Sequence, residues 1–173
     1  MVGKHKLIMI AAIDNNWAIG KDNNLLYYVP TDMAHFRKKT MNNIIVYGFN
    51  TFMSFPQRKI LPKRDNIIIT SKNIDCDSDR MYAAHSIDET LKIINGFDDD
   101  RDVYICGGAS VYRQFLDIAD EACITVINVE ADRPDTFFPM LYADPNWVEF
   151  DHDYLGIDAT TGLELIVITY KRK

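Results

Sequence analysis

The sequence predicts an α/β fold built on a mixed, mostly parallel β-sheet. Short apolar runs, of the kind that is buried on both faces of a sheet, alternate along the chain with helical patterns. This alternation is typical of parallel sheets with helices on both sides. The end of the chain differs, because two β-rich segments flank a polar stretch with Gly156 and Gly162, which predicts an antiparallel hairpin. The length of 173 residues suits a single domain over 1–173.

The elements follow in chain order. Five apolar runs are the predicted buried strands, at residues 7–13, 44–47, 67–70, 103–106 and 124–129, and the hairpin strands are predicted at 147–153 and 163–171. Helical patterns cover 31–40 after Pro30, 87–95 and 110–118. Ser86 and Glu89 form an S-x-x-E capping box for the second helix, and Gly96 is expected to end it. The Asn- and Gly-rich stretch 14–26 is either a mobile cover over a site or an ordinary surface loop.

Charge and cysteine content exclude several classes of protein. The net charge of −6 disfavours a nucleic-acid partner, which usually needs a basic surface. The three cysteines form no C-x-x-C pair, so neither a disulfide framework nor a metal site is expected, and reduced thiols fit the cytoplasm. The apolar run 7–13 is too short to span a membrane. We therefore expect a cytoplasmic protein without a membrane partner.

Asp32 is the first candidate functional residue. It lies just inside a predicted helix start, and Phe36 follows one turn later on the same face. An acid at this position can simply be favoured by the positive end of the helix dipole. Alternatively, it is a carboxylate at the mouth of an apolar pocket, where it can pair in a bidentate way with a ligand that has an N–C–N donor set. The pattern alone leaves both interpretations open.

Three junctions after predicted strands are candidate sites for a phosphate-bearing ligand. Gly107 and Gly108 allow a ligand to approach the backbone closely, although a tight structural turn explains them equally well. Thr51 either caps the helix that it begins or donates to a phosphate. Ser71 and Lys72 follow a strand at the edge where open α/β sheets bind ligands, although a solvated loop is the alternative.

Seven ordered blocks of the sequence together resemble the dihydrofolate reductase family. They extend over nearly the whole chain, and they include P-T-D-M-A-H-F, L-P-x-R-x-N-I-I-I-T-S and I-C-G-G-A-S-V-Y. The blocks lie at residues 10–20, 30–36, 47–54, 61–71, 105–112, 124–127 and 135–139. The resemblance implies one domain of that family's fold, an eight-stranded mixed sheet flanked by four helices.

The resemblance also implies an activity. The family reduces 7,8-dihydrofolate to 5,6,7,8-tetrahydrofolate for one-carbon metabolism, by transfer of hydride from nicotinamide C4 of NADPH to pterin C6 with protonation at N5. We therefore expect NADPH as cofactor and dihydrofolate as substrate. Diaminopyrimidine antifolates are expected to bind, and a monomer is expected.

Binding residues are assigned by the same resemblance. Asp32 matches the acid that hydrogen-bonds the pterin, with Thr125 in support, and Arg64 matches the arginine that holds the glutamate α-carboxylate. Phe36 matches the aromatic packed along the substrate. Apolar pocket walls are expected at Ile10, Met33, Phe55, Leu61 and Cys106. The cofactor groove is expected at Ala12, Ile19, Gly48, Phe49, Asn50, Thr51, Thr70, Ser71, Lys72, Cys106, Gly107, Gly108, Ala109, Ser110, Val111, Tyr112 and Thr136, with a cis peptide between Gly107 and Gly108.

The implied catalytic centre combines Asp32, Tyr27 and Leu25. Asp32 is expected to anchor the pterin and to favour protonation at N5, with water as the immediate donor. Tyr27 stands where the family usually has a tryptophan that helps to hold a water near the pterin. Leu25 ends the stretch 15–25, which is expected to close over the site and exclude bulk water.

Departures from the family pattern bear on cofactor choice. Phe49 and Ser110 stand where the family often has basic residues, which removes cations that could bind the 2′-phosphate of NADPH. Lys72 is the best remaining cation, and lysine suits a phosphate as a point charge. NADPH is therefore expected to be preferred over NADH, but by a smaller margin than two or three cations would give.

Two other functions remain open at this point. A different reductase of the same fold, such as the pyrimidine reductase of riboflavin synthesis, would bind a phosphoribosyl group and would not need an acid like Asp32 in this motif. The other is a non-catalytic protein that binds folate or the cofactor. The intact set of Asp32, Thr125 and Arg64 argues against that second alternative.

Overall fold

The secondary structure is that of an α/β protein, in a computed structural model that describes residues 2–173. The helices are α1 (Pro30–Thr40), α2 (Phe49–Ser54), α3 (Ile87–Asn95) and α4 (Ala109–Phe115). The strands are β1 (Leu7–Ile13), β2 (Ala18–Lys21), β3 (Asn24–Leu25), β4 (Ile44–Gly48), β5 (Asp65–Ile69), β6 (Met81–Ala84), β7 (Val103–Ile105), β8 (Glu121–Ile127), β9 (Thr136–Phe137), β10 (Trp147–Ile157) and β11 (Glu164–Arg172). Within residues 2–173, no helix has the length and apolarity needed to cross a membrane.

Eight of the strands form one sheet in the order β10-β11-β8-β1-β7-β4-β5-β6. All neighbours from β8 to β6 are parallel, whereas β11 is antiparallel to both β8 and β10. The central strand β1 places Ile10 beside Cys123 and Ala12 beside Thr125 of β8. The predicted mixed, mostly parallel sheet, its antiparallel C-terminal hairpin and the four helices are confirmed.

Helices cover both faces of this sheet. On one face α3 and α4 pack on the strands, and Phe115 joins the same buried cluster as Val46 of β4. On the other face α1 and α2 pack, and Phe36 lies against a cluster that contains Tyr47 of β4. Side chains alternate between the faces of a strand, so both sets of β4 side chains are buried. This burial explains why the central strands are continuous apolar runs in the sequence.

Capping of α3 follows the predicted box only in part. The hydroxyl of Ser86 accepts a hydrogen bond from the N–H of Glu89 at 3.1 Å, as expected. The Glu89 carboxylate, however, accepts from the N–H of His85 at 2.7 Å, one residue before the predicted donor. The second bond therefore fixes the link from β6 to α3 instead of closing the box on Ser86.

The stretch 14–26 is more regular than predicted. β2 pairs antiparallel with β3 and with the distant β9, which forms a separate three-stranded sheet. These strands have four, two and two residues, too few for an alternating pattern to be visible in the sequence. The same reason applies to β6, which has four residues and was not predicted.

Candidate active site

A groove of about 490 Å³ lies at the carboxyl ends of β1, β4, β5 and β7. This is the edge at which open α/β sheets bind ligands. Every predicted cofactor residue except Gly107 lines the groove, and so does Leu25. The sequence argument did not include several other lining residues, namely Ala11, Gly20, Asn23, Asn24, Ser54, Ile69 and Gln114.

Gly107 is buried beside the groove, and its peptide bond to Gly108 is cis. The φ angle of Gly107 is 97°, in the region that favours glycine. A Cβ atom at this residue would lie 2.9 Å from Cε2 of Tyr112. The Gly107 carbonyl also accepts a hydrogen bond of 2.7 Å from the N–H of Gly48. The junctions after β4 and β7 are thus packed so tightly that Gly107 can have no side chain.

Phe49 and Lys72 form a stacked pair in the lining of the groove. The Lys72 ammonium lies 4.8 Å from the centroid of the Phe49 ring, within the range of a cation–π contact. The N–H of Lys72 donates to the hydroxyl of buried Thr70 at 3.0 Å. Lys72 is exposed, but the aromatic ring and the groove define its position. Helix α2 has no side-chain cap, so the alternative role of Thr51 as a helix cap is wrong.

Asp32 is a buried acid, with 8% of its surface exposed. Burial raises the pKa of this carboxyl, and a hydrogen bond with Thr125 opposes that shift by stabilising the charged form. No cationic side chain of residues 2–173 lies within 4.0 Å of the carboxylate. Its charge is therefore available to a ligand that brings its own donors.

An apolar cluster lies on the same face of the sheet as α1. Its members include the predicted substrate residues Ile10, Phe36, Phe55, Leu61 and Cys106. Met33 is half-buried and follows Asp32 on α1. The hydroxyl of Tyr112 donates to the carbonyl of Ile10 at 2.7 Å. Cys106 also lines the groove, so the cluster and the groove meet at this residue, whereas Tyr112 lines the groove and belongs to the cluster on the other face of the sheet.

Arg64 is a buried cation, with 4% of its surface exposed. Its guanidinium donates to the hydroxyl of Thr40 from Nε at 3.1 Å and from Nη2 at 3.0 Å, and to the carbonyl of Pro62 from Nη1 at 2.7 Å. No carboxylate of residues 2–173 lies within 4.0 Å of it. Burial lowers the pKa of this guanidinium. A buried cation without a counter-ion suits an anionic ligand, since pairing would offset its desolvation.

The stretch after β1 is tied to the segment that leads into β9. The Asp14 carboxylate is buried and accepts from the N–H groups of Asn16 at 2.8 Å and Ala18 at 2.9 Å. Its other oxygen accepts from the N–H of Ala131 at 2.9 Å. The Asp135 carboxylate accepts from the N–H of Asp22 at 2.9 Å. These bonds hold 14–22 beside the groove.

Leu25, which ends β3, and Tyr27 both precede α1 in the chain. Leu25 is 62% exposed and lines the groove, so it is open to contact by a ligand. Tyr27 is half-buried and packs on a cluster that contains Val29. Burial, reinforced by the charge of Asp14, raises the pKa of Tyr27 and keeps its hydroxyl protonated.

Asp158 is a functional candidate that sequence reasoning missed. It lies in the turn between β10 and β11, and Oδ2 accepts from the N–H of Thr31 at 2.9 Å and from its hydroxyl at 2.7 Å. Oδ1 accepts from the N–H groups of Thr160 at 3.0 Å and Thr161 at 2.8 Å. The N-cap position of α1, Val29, offers no side-chain cap, so Asp158 takes that role from a distance. A capping residue far away in sequence leaves no local signal.

Comparison with known proteins agrees with this geometry. The family model described as dihydrofolate reductase matches residues 6–172. A dihydrofolate reductase of Haemophilus influenzae is 32% identical over 146 residues, which cover 84% of this chain and 84% of that protein. One of Bacillus subtilis is 34% identical over 138 residues, which cover 80% of this chain and 77% of that protein. A solved dihydrofolate reductase from Enterococcus faecalis, complexed with NADP(H) and RAB-propyl, has a TM-score of 0.85 and 28% identity, and covers 97% of this chain and 96% of that one. This chain therefore belongs to the dihydrofolate reductase family.

Proposed function

We propose that this chain catalyses the NADPH-dependent reduction of 7,8-dihydrofolate to 5,6,7,8-tetrahydrofolate. The observation that carries the proposal is Asp32, a buried carboxyl without a cationic partner in the described chain, whose charge acts on Cys123 of the apolar cluster and on Tyr112 of the groove. A pterin offers the N–C–N donor edge that such a carboxylate pairs with. Cys106, which belongs to both the apolar cluster and the groove, brings the two ligands side by side, as a direct transfer between them requires.

The groove suits NADPH in shape and in donors. Gly48 and Gly108 leave the backbone open to a ligand, Thr51 and Ser71 supply hydroxyls, and Lys72 supplies a charge for the 2′-phosphate. When bound, NADPH supplies the hydride for the reduction. The family relative solved with NADP(H) supports this choice of cofactor.

Asp32 has the role of an anchor and not of a hydride carrier. Its carboxylate accepts hydrogen bonds from the pterin and, through its negative charge, makes protonation at N5 more favourable. A hydrogen bond with Thr125 stabilises the charged form of this carboxyl. We assign the immediate donation of the proton to water, with Tyr27 as the hydroxyl that helps to place it.

Arg64 binds the far end of the substrate. Its guanidinium is held in place by Thr40 and Pro62, and it has no counter-ion in the described chain. The α-carboxylate of the glutamyl group would supply that counter-ion, as a charge-assisted pair. The phenyl ring of Phe36, in the apolar cluster with Leu61, packs along the part of the substrate between the two charged ends.

The stretch 15–25 excludes water from the site. Asp14 and Asp135 hold its backbone to the segment before β9, and Leu25 reaches the groove. Exclusion of water strengthens the electrostatic contacts made by Asp32, because less solvent screens them.

The deciding experiment is an absorbance assay with purified protein, dihydrofolate and NADPH. We expect loss of the NADPH absorbance only when both compounds are present, and a much lower rate in the Asp32→Asn variant. Turnover of a ribosylated pyrimidine instead of dihydrofolate would identify the other reductase of this fold. Tight binding of both compounds without turnover would identify a binding protein.

Diaminopyrimidine antifolates should compete with the substrate. A protonated 2,4-diamino ring offers donors to the buried Asp32 carboxylate, and the Enterococcus faecalis relative was solved with an added compound, RAB-propyl, beside NADP(H). Trimethoprim titrated against activity tests this, and Asp32→Asn should remove most of the inhibition. Inhibition that is unchanged by the substitution would exclude the proposed binding mode.

We further infer a single-domain monomer that works in the cytoplasm. The family match over residues 6–172 supports one domain, and all residues proposed for the site come from one chain. Cys76, Cys106 and Cys123 are free thiols, as is usual for proteins of a reducing compartment. Light scattering coupled to size-exclusion chromatography tests the monomer, and a dimeric mass would contradict it.

A further inference from the structure

The turn between β10 and β11 contains a buried carboxylate, that of Asp158, which is 2% exposed. One of its oxygens accepts from the N–H and the hydroxyl of Thr31 on α1. The other accepts from the hydroxyl of Thr161 at 2.9 Å, in addition to two N–H groups of the turn. Hydrogen bonds to a carboxylate are stronger than neutral ones. Neither Asp158 nor Thr31 lines the groove, so the proposed binding of the cofactor does not explain this arrangement.

The turn is closed by its own backbone and holds the start of α1. The N–H of Asp158 donates to the carbonyl of Leu163 at 2.8 Å, and the carbonyl of Asp158 accepts from the N–H of Gly162 at 2.8 Å. Val29, just before α1, is 1% exposed and shares a buried cluster with Leu165 of β11. The start of α1 is thus fixed to the hairpin by one polar and one apolar contact.

The same hairpin supports the hydrogen-bond partner of Asp32. Asp32 follows Thr31 directly in α1, and its carboxyl forms a hydrogen bond with Thr125 of β8. Thr125 lies opposite Val167 of β11 in the antiparallel register. The hairpin therefore reaches both sides of the hydrogen bond between Asp32 and Thr125, because β11 pairs with the strand of Thr125 and the turn binds the residue before Asp32.

We propose that Asp158 is a positioning residue for Asp32. Through its bonds to Thr31 it fixes the first turn of α1 relative to β8, and so sets the place of the Asp32 carboxyl beside Thr125. Asp158 acts through Asp32 and does not itself contact the substrate. This inference rests on the proposed function, and it adds a residue, remote from both ligands, on which the reaction depends.

The test is a double-mutant cycle of Asp158→Asn and Asp32→Asn, measured as kcat/KM for dihydrofolate with the intact protein. Asparagine keeps the shape of Asp158 but has only one acceptor oxygen, so it cannot serve both Thr31 and the turn. Asp158→Asn alone should lower kcat/KM about tenfold at neutral pH, since a misplacement of about 1 Å can cost up to roughly 100-fold. In the Asp32→Asn background it should change kcat/KM by less than about twofold, because the charge to be positioned is already absent.

Two further measurements separate positioning from a general loss of stability. The loss in Asp158→Asn should become smaller at acidic pH, as is expected for Asp32→Asn, because a substrate that is already protonated depends less on the Asp32 charge. The affinity for NADPH should stay unchanged, since Asp158 lies outside the groove. Both measurements are made at a temperature at which the circular dichroism of the variants is native.

Cap variants of α3 and α1 are the controls. Ser86→Ala removes the cap of α3, which accepts from the N–H of Glu89 at 3.1 Å, and it should lower stability without a change in kcat/KM. Thr31→Val removes the hydroxyl that donates to Asp158 and should lower kcat/KM in part. Thr31→Ser keeps that hydroxyl and should restore most of the activity.

Each other outcome counts against the proposal. A native kcat/KM in Asp158→Asn, or losses that simply add in the double variant, would overturn it, and so would an equal fall in the affinity for NADPH. If the native protein turns over no dihydrofolate, the proposed function fails, and titration of dihydrofolate binding across the same four proteins decides the positioning role. A loss of affinity in Asp158→Asn that persists in the Asp32→Asn background would then overturn it, and no binding to the native protein would overturn both proposals.

Discussion

The proposed substrate pocket and the proposed cofactor groove hold their charges in different ways. In the pocket, which comprises Asp32, Thr125, Arg64 and the apolar cluster around Phe36, both charged groups are buried, and their hydrogen-bond partners, Thr125 for Asp32 and Thr40 for Arg64, are neutral. In the groove, the candidate cation Lys72 is exposed, and three of the lining residues, Gly20, Gly48 and Gly108, have no side chain. Buried charges act on a ligand through little intervening water, whereas exposed charges are screened. We therefore expect the pocket to depend on a few charges and the groove to depend on its shape.

The largest effect is expected from Asp32→Asn in the pocket. The substitution removes the charge that favours protonation of the pterin, so kcat/KM at neutral pH should fall by roughly 10²- to 10⁴-fold. The loss should be smaller at acidic pH, where the substrate can arrive already protonated. Steady-state rates across pH measure this, with the exposed Asp100→Asn as the control. Full activity of Asp32→Asn at neutral pH would make the assignment wrong.

Asp32→Asn should not lower stability, although it should lower activity. Burial raises the pKa of Asp32, so the charged carboxylate destabilises the folded state. This loss of stability grows as pH rises through the folded pKa. Removal of the charge should therefore leave the free energy of unfolding unchanged or higher at neutral pH. Denaturant unfolding at neutral pH measures this free energy, and a marked loss there would contradict the effect of burial.

Gly107→Ala tests whether the groove depends on shape. A Cβ in the left-handed conformation, 2.9 Å from Cε2 of Tyr112, should lower the free energy of unfolding by roughly 2–5 kcal/mol and weaken NADPH binding. The control is Gly162→Ala, which shares a positive φ but whose Cβ would meet nothing within 4 Å. Urea unfolding and cofactor titration of both variants separate the clash from the backbone strain. Equal effects at the two glycines would show that the packing against Tyr112 is unimportant.

Arg64→Ala should act on the substrate tail alone. Loss of a charge-assisted pair should weaken folate binding by about 1.5–3 kcal/mol, or roughly 10- to 100-fold. Diaminopyrimidines without a glutamyl tail should bind almost as before. Because Arg64 also bonds to Thr40 and Pro62, the variant is compared at a temperature at which its circular dichroism is native. Equal weakening of both ligand classes would exclude the tail role.

Asp158→Asn should lower the free energy of unfolding by an amount that depends on pH, because the Asp158 carboxylate caps helix α1. Hydrogen bonds from Thr31 and Thr161 lower the pKa of this carboxyl, so its stabilising effect is complete above about pH 4 and is lost as pH falls toward the folded pKa. The variant should have a lower free energy of unfolding than the native chain near neutral pH. This difference in free energy should be smaller at about pH 3. Urea unfolding at both pH values measures this, with exposed Asp117→Asn as the control. A gap that does not change with pH would contradict the role of the charged form.

Lys72→Ala in the groove should give the smallest effect. Lys72 is exposed, so its contact with the 2′-phosphate should be worth about 1 kcal/mol or less, up to roughly fivefold in the KM for NADPH. The KM for NADH should hardly change. Phe49→Arg should widen the preference for NADPH, since a second cation joins Lys72. A KM for NADPH that is unchanged by Lys72→Ala would show that the 2′-phosphate is bound elsewhere.

Part of the fold and of the site could be predicted because the signals are local. Burial on both faces makes the strand at Leu7–Ile13 continuously apolar, and the α3 bounds of Ile87–Asn95 follow from a cap and a glycine nearby in sequence. Thr51, Ser71, Lys72 and Gly108 were found because they follow strands whose carboxyl ends meet at one edge, whereas the other groove residues came from the resemblance to the family. The short β2, β3 and β9 were not found, because two to four residues show no period.

The sequence by itself determined the α/β class, the family and the identity of Asp32, Arg64 and the glycine junctions as candidates. Only the tertiary structure decided that both charges are buried without a counter-ion and that Asp158 caps α1 from the far hairpin. The physical reason is that periodicity, turns and local caps are encoded within a few residues, whereas burial, charge pairing and cavity shape depend on segments that meet only after folding. Asp158 and Thr31 are 127 positions apart in the chain, and the sequence has no pattern that joins them.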